Sequence, residues 1–136
     1  MRLSSNFKFG KPSYGKYKNK TSEFAGRSFA SKLEASVYGL LLQMQRGGLI
    51  TGLECQRSVY LTDARIQMIP DFEFLDCETG LVTYAEAKGF ETSDYRIKRR
   101  LWKFYGPGTL WVYKGTAKNP KLFETIVPTT AKFKGD

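Results

Sequence analysis

The segments QMIPDFEFL at residues 67–75 and LVTYAEAK at residues 81–88 decide the fold. Both are short apolar runs rich in β-branched and aromatic residues. Gly80, between Thr79 and Leu81, supplies a turn signal, so the two runs read as a β-hairpin. Each run also carries charge where apolar residues are expected. Asp71 follows Pro70 inside the otherwise apolar stretch Met68 to Leu75, and Glu86 and Lys88 stand two apart at the end of the second run. Strand side chains alternate between faces, so Glu86 and Lys88 project to one side. If the strands pair, Asp71 can meet Glu86 across them. Two ionised carboxylates that close repel each other, and a divalent cation removes the conflict. Hard oxygen ligands suit Mg2+, with Mn2+ as a substitute. A lysine beside such a cation can orient or deprotonate an attacking water, or stabilise developing negative charge. The plainer alternative makes Glu86 and Lys88 solvent-facing and Asp71 a turn residue. Their position late in apolar strands argues against it, because unpartnered charge is costly there.

Working outward, residues 31–46 read as a helix. Leu33, Val37, Leu40, Leu41 and Met44 recur at helical spacing, Ser31 is a candidate N-cap with Glu34 three residues on, and Gly47 and Gly48 end it. Glu34 lies at the edge of the apolar stripe, where a carboxylate can point toward a neighbouring sheet. Strand-like runs cover Ile50 to Glu54 and Ser58 to Leu61. A second amphipathic helix is expected over 93–105, capped by Ser93, with Ile97, Leu101, Phe104 and Tyr105 as its apolar face and Arg96, Arg99, Arg100 and Lys103 on the other side. Gly106-Pro107-Gly108 ends it. A buried strand follows over Thr109 to Tyr113, and a weaker one near Phe123 to Val127. The order α-β-β-β-α-β implies an α/β domain with a mixed central sheet flanked by helices.

The 136 residues suffice for one domain, with residues 1–28 as a basic arm and 29–136 as the folded unit. No apolar run is long enough to span a membrane, and the first ten residues hold no apolar stretch like a signal peptide's core. A cytoplasmic location is therefore expected. Cys55 and Cys77 form no CxxC pair; both are expected as buried small apolar residues in a reducing compartment, with no disulfide. The chain has no histidine, which excludes Ser-His-Asp and Cys-His nucleophilic systems and the usual zinc sites. Chemistry must rest on carboxylates, Lys, Tyr or a metal.

The net charge is +9, and its distribution is uneven. Residues 1–32 hold eight basic side chains (Arg2, Lys8, Lys11, Lys16, Lys18, Lys20, Arg27, Lys32) against Glu23 alone. Residues 33–92 hold four basic and nine acidic residues, and 93–136 ten basic and three acidic. An acidic centre between basic flanks suits a cation site framed by phosphate-binding surfaces. Tyr14 and Tyr17 interleave with Lys16, Lys18 and Lys20, a pattern suited to stacking on bases while the ammonium groups meet phosphates.

Glu34, then Pro70-Asp71, then Glu86-Ala87-Lys88 resembles the PD-(D/E)xK nuclease superfamily. Pro70-Asp71-Phe72 and Glu86-Ala87-Lys88-Gly89 resemble, more closely, the phage junction-resolving endonuclease I type. Phe29 to Glu34 is similar to the opening helix of small phage and prophage nuclease-like proteins. There a Gln follows the first strand, as Gln56 does here, and a basic helix follows the E-x-K strand. The resemblance covers roughly residues 27–113. It implies a restriction-endonuclease-like core and a Mg2+-dependent deoxyribonuclease. Asp71 and Glu86 would hold the metal with the backbone carbonyl of Ala87. Lys88 would serve the water or the scissile phosphate. Glu34 would bind a second metal or a metal-bound water, with Gln56 as a weaker catalytic candidate. Apart from the resemblance, charge and placement make Lys16, Lys18, Lys20, Lys32, Arg96, Arg99, Arg100 and Lys103 the expected DNA contacts.

The leading expectation is a phage-encoded enzyme of recombination or DNA processing that cuts branched DNA as a homodimer. A two-fold dimer would match the two equivalent strands of a junction with two active sites. Alternatives are an exonuclease, a nicking or a restriction-type enzyme, a DNA-binding protein without cleavage activity, and an RNA-binding role supported by charge alone.

Overall fold

The structure, a computed structural model, describes residues 22–129. A five-stranded mixed sheet lies between two helices, in the order β3 (Ile50–Cys55), β6 (Phe72–Asp76), β7 (Leu81–Ala87), β8 (Thr109–Thr116), β9 (Asn119–Ile126). All neighbours are antiparallel except β7 and β8, which run parallel. Parallel neighbours need a crossover, and α2 (Ser93–Tyr105) provides it. Two small strand pairs stand outside this sheet: β1 (Ser22–Phe24) with β2 (Arg27–Phe29), and β4 (Val59–Tyr60) with β5 (Gln67–Met68). The mixed α/β sheet architecture expected from the sequence is present.

Alternation along the central strands divides the core in two. On one face Phe72, Phe74, Ala85 and Tyr113 pack against Leu33, Val37, Tyr38 and Leu41 of α1 (Lys32–Arg46). On the other, Tyr84, Leu110, Val112 and Ile126 pack with Tyr95 and Trp102 of α2. The sequence signals for α1 hold. Ser31 Oγ accepts the Glu34 amide at 3.0 Å, and Gly47 closes the last turn. The β6–β7 hairpin forms as expected, with Gly80 at a positive φ of 75° and its amide bonded to the Asp76 carbonyl.

Several expectations are corrected. Residues 67–75 do not form one strand. Met68 pairs with Val59 in the small sheet, whereas Phe72 enters the central sheet, and Pro70-Asp71 is the break between them. Pro70 has no amide to donate to a ladder. Residues 22–28, within the span read as an arm, form with Phe29 a hairpin whose two-residue turn, Ala25-Gly26, has positive φ at both positions, the twist that matches paired strands. This hairpin anchors Phe29 in the α1 core. The last strand starts at Asn119 rather than near Phe123. Cys77 is exposed in the β6–β7 turn and Cys55 half-buried; both are free. No described helix is long and apolar enough to cross a membrane.

The largest correction concerns α2. Its cap is Thr92, whose hydroxyl accepts the Tyr95 amide at 3.1 Å, not Ser93. Its buried stripe is Tyr95 and Trp102, seven residues apart, while Ile97 and Phe104 are 57% and 55% exposed. Leu101 alone of the expected apolar face is partly buried against the core. Trp102 wins because the following loop is shaped around its indole. Its Nε1 donates to the Gly108 carbonyl at 2.8 Å, and a Cβ on Gly106 would lie 2.5 Å from Nε1.

A Cβ on Gly108 would lie 2.4 Å from the Val82 carbonyl oxygen, which belongs to the central sheet. Gly108→Ala should therefore destabilise by about 1–3 kcal/mol, the usual scale of overpacking. Gly89→Ala, where a Cβ meets nothing within 4 Å, should stay within about 0.5 kcal/mol. Urea unfolding of the two variants checks this, and equal midpoints would show that the loop yields freely.

Candidate functional site at the Asp71 end of the central sheet

The β6–β7 ladder ends with Phe72 opposite Ala85. One rung further would set Asp71 opposite Glu86. Instead the backbone turns away at Pro70, and Asp71 fills the gap with its side chain: Oδ2 accepts the Ala87 amide at 2.9 Å. The Asp71 carbonyl accepts the Gln56 amide, also at 2.9 Å. Gln56 follows β3 with a left-handed φ of 59°, unusual for a residue with a Cβ. That turn carries its side chain toward α1, where Nε2 lies 3.4 Å from Glu34 Oε2. Glu34 Oε1 accepts the Ala30 amide at 3.3 Å. The carboxylate thus reaches back past the cap to Ala30, one residue beyond the Ser31 amide of the usual capping box.

On the opposite face, Glu86 and Lys88 both project toward α2, as strand alternation requires. Lys88 Nζ sits 4.5 Å from the centre of the Tyr95 ring, a favourable cation–π arrangement. The structure therefore brings Glu34, Gln56, Asp71, Glu86 and Lys88 to one end of the sheet, from α1, the end of β3, the approach to β6 and the end of β7. The Ala87 amide is held by Asp71.

Glu34 and Glu86 are 7% and 4% exposed, unusual for carboxylates. Burial raises the pKa of each; for Glu34 the Ala30 amide and Lys88 act in the opposite direction, and for Glu86 Tyr95, Lys88 and Arg99 do so. Asp71 is pushed up to about 7, first by burial and then by Glu34, with the Ala87 amide opposing and Glu86 adding to the rise. Tyr95 is raised by burial and by Glu86. Glu86 Oε2 and the Tyr95 hydroxyl are buried atoms with no hydrogen-bond partner. Each of these two groups has the other as its nearest polar neighbour, and Tyr95 acts on Glu86 to lower its pKa. Among the described residues, no three acidic or thiol side chains are arranged to share one metal ion.

Behind Glu86 lies a set of ion pairs. Arg99 contacts Glu91 at 3.1 Å and Glu124 at 3.2 Å, and Lys114 contacts Glu91 at 2.5 Å. Arg99, expected on a DNA-facing side of α2, is half-buried in this network, on the Tyr95–Trp102 stripe. Arg96, Arg100 and Lys103 are exposed on α2, and Lys32 is exposed at the start of α1. Lys16, Lys18 and Lys20 lie outside the described residues.

A cleft of about 400 Å3 opens on the α1 side, lined by Glu34, Cys55, Gln56, Asp71 and the stretch 27–30. Sequence reasoning missed two residues here, Tyr95 and Arg27. Tyr95 and Trp102 also stand at helical spacing and include the helix's largest side chain, a signal that competed with Ile97, Leu101 and Phe104. For Arg27 the signal was the Ala25-Gly26 turn between Phe24 and Phe29. Compared with protein-family models, curated proteins and solved structures, the chain matches none.

The raised Asp71 pKa has a stability consequence. Below the unfolded value of 3.8 the group is protonated in both states. Between 3.8 and about 7 the folded state holds a proton that the unfolded chain has released, so stability falls as pH rises. Above about 7 the loss is complete. In chelator, the melting temperature should fall from pH 5 to pH 8, and Asp71→Asn should flatten the fall; Glu34 and Glu86, shifted the same way, leave a residual slope. Parallel profiles for the two proteins would contradict the assignment.

Proposed function

We propose that this protein is a metal-dependent nuclease that hydrolyses phosphodiester bonds in DNA on a restriction-endonuclease-like core. One observation carries the reading: three carboxyls, Glu34, Asp71 and Glu86, lie at one end of the sheet with Lys88, and burial raises the pKa of each. Buried carboxylates without compensating charge are strongly unfavourable. Oxygen donors of this kind match Mg2+ or Mn2+. Among the described residues no three acidic side chains share one centre, so a cation would be held by Asp71 and Glu86, with the Ala87 carbonyl and water completing its shell. Mg2+ keeps several waters in such sites. The resemblance of Pro70-Asp71 and Glu86-Ala87-Lys88 to the PD-(D/E)xK pattern supports the same assignment.

The bound cation would supply Lewis acidity and lower the pKa of a coordinated water. The chain's own residues supply the rest. Asp71 works as an ionised ligand, held in place by the Ala87 amide. Lys88, resting on the Tyr95 ring, points a positive charge at the phosphate or the attacking water. Glu34, tied to Ala30 and Gln56, offers an acceptor for a water proton. Tyr95 faces Glu86, while Arg99 favours the ionised form of Glu86 and is itself held by Glu91 and Glu124. The exposed Arg96, Arg100, Lys103 and Lys32 provide phosphate contacts outside the centre. Branched DNA as substrate and a homodimer as the working unit complete the proposal, on the likeness of the two motif pieces to the junction-resolving type.

Labelled single strands, linear duplex, flap and four-way junction, each incubated with Mg2+ or EDTA, test this directly. Cleavage should require Mg2+ and be fastest on the junction. Asp71→Asn should abolish cutting while DNA binding is kept or strengthened, because a negative charge near phosphate is removed. Lys88→Ala should lower turnover by ~10²-fold or more, the scale of losing one charge-stabilising group. Undiminished cutting by Asp71→Asn would reject the assignment of the site.

A further inference from the structure

We infer that Arg27, in the β1–β2 hairpin, grips a backbone phosphate of the substrate strand on the α1 side of the site; the inference rests on the nuclease reading and names how its substrate is held. The hairpin forms one wall of the 400 Å3 cleft whose opposite side presents Glu34, Gln56 and Asp71. Arg27 is the one basic side chain lining that cleft among the described residues. It is exposed and forms no ion pair among the described residues. An arginine that borders a carboxylate cleft without pairing across it leaves its donors available for another anion.

Two features hold it ready. The Ala25-Gly26 turn, with φ of 54° and 78°, fixes the hairpin and places Arg27 as the first residue after the turn. Its guanidinium then lies 5.6 Å over the Tyr38 ring. Tyr38 is itself packed between Phe29 and Phe72 in the core, with ring centres 5.0 and 5.8 Å away. A guanidinium over an aromatic face keeps its edge free for bidentate binding of phosphate.

Position gives this cation a distinct task. Lys88 stands on the α2 face over Tyr95, Arg27 on the α1 face over Tyr38, and Asp71 lies where the two faces meet at the sheet end. A strand crossing that end meets Arg27 on one side of the carboxylates and Lys88 on the other. Lys88 serves the phosphate being cut, so Arg27 receives a flanking one. The cleft is at the lower end of the ~300–1,000 Å3 range of small-ligand sites. That is room for the sugar and phosphate of one strand.

The test pairs Arg27→Gln with DNA carrying a single neutral methylphosphonate, placed in turn at each phosphate near the cut. With unmodified DNA, Arg27→Gln should raise KM roughly 10- to 100-fold, the range for one charge-assisted contact, with kcat little changed, and Arg27→Lys should recover part of the loss. At one flanking position the methylphosphonate should penalise the wild-type protein and leave Arg27→Gln unaffected. Penalties that add at every position, or an unchanged KM, would overturn the contact. Binding is measured in parallel in EDTA, by anisotropy with single-stranded DNA. Arg27→Gln should bind more weakly and with a salt slope lower by about 0.7; an identical slope and affinity would also overturn the contact. A wild-type protein that cuts nothing, with the binding contrast intact, would reject the nuclease reading and leave Arg27 as a phosphate contact.

Discussion

The hydrogen bond from the Ala87 amide to Asp71 Oδ2, 2.9 Å long, is the contact on which the acidic end of the sheet depends. A side-chain carboxylate replaces the backbone acceptor that would have continued the β6–β7 ladder. Pro70 makes the replacement possible by turning the chain out of the sheet. The same turn presents the Asp71 carbonyl to Gln56, and Gln56, in its left-handed conformation, reaches Glu34. One broken rung therefore links β3, β6, β7 and α1 at a single point. Had the ladder continued, Asp71 and Glu86 would have been cross-strand neighbours with their charges directly opposed.

The arrangement is poor as a device for stability alone. Burial raises the pKa of Glu34, Asp71 and Glu86 together. A core selected only for packing would fill such positions with apolar side chains. The surrounding charges temper the conflict without ending it: Lys88 lowers the pKa of all three carboxyls, and Arg99 lowers that of Glu86. Residual destabilisation concentrated in one place is a common property of functional sites, and a bound cation is the simplest agent that would relieve it.

Much of this was legible in the sequence because it depends on local chemistry. Ser31 and Gly47 mark the ends of α1, Gly80 marks the hairpin, and strand alternation puts Glu86 and Lys88 on one side. Asp71 was expected opposite Glu86 across the paired runs, but the ladder stops one rung short at Phe72–Ala85 and Asp71 turns its side chain to the Ala87 amide. What escaped was set by tertiary neighbours. The run 67–75 is apolar throughout, so nothing local shows that Met68 and Phe72 belong to different sheets. Two stripes compete on α2, and the choice of Tyr95 and Trp102 over Ile97 and Phe104 is made by the space that Gly106 and Gly108 leave for the indole. That choice also turned Arg99 inward, to Glu91 and Glu124. Arg27 lay in a stretch with no sustained apolar period, and its role depends on Tyr38, a residue eleven positions later on another element.

The proposed function stands on a divalent cation held by Asp71 and Glu86. Calorimetric titration of the chelator-treated protein with Mn2+ near pH 7, in buffers of different ionisation enthalpy, measures it most directly. Saturable binding accompanied by proton release is expected, because Asp71, raised to about 7, is partly protonated before the cation arrives. Binding and proton release should both be lost in Asp71→Asn, and binding should be sharply weakened in Glu86→Gln. No Mn2+ binding by the wild-type protein, or equal binding by all three, would contradict the claim.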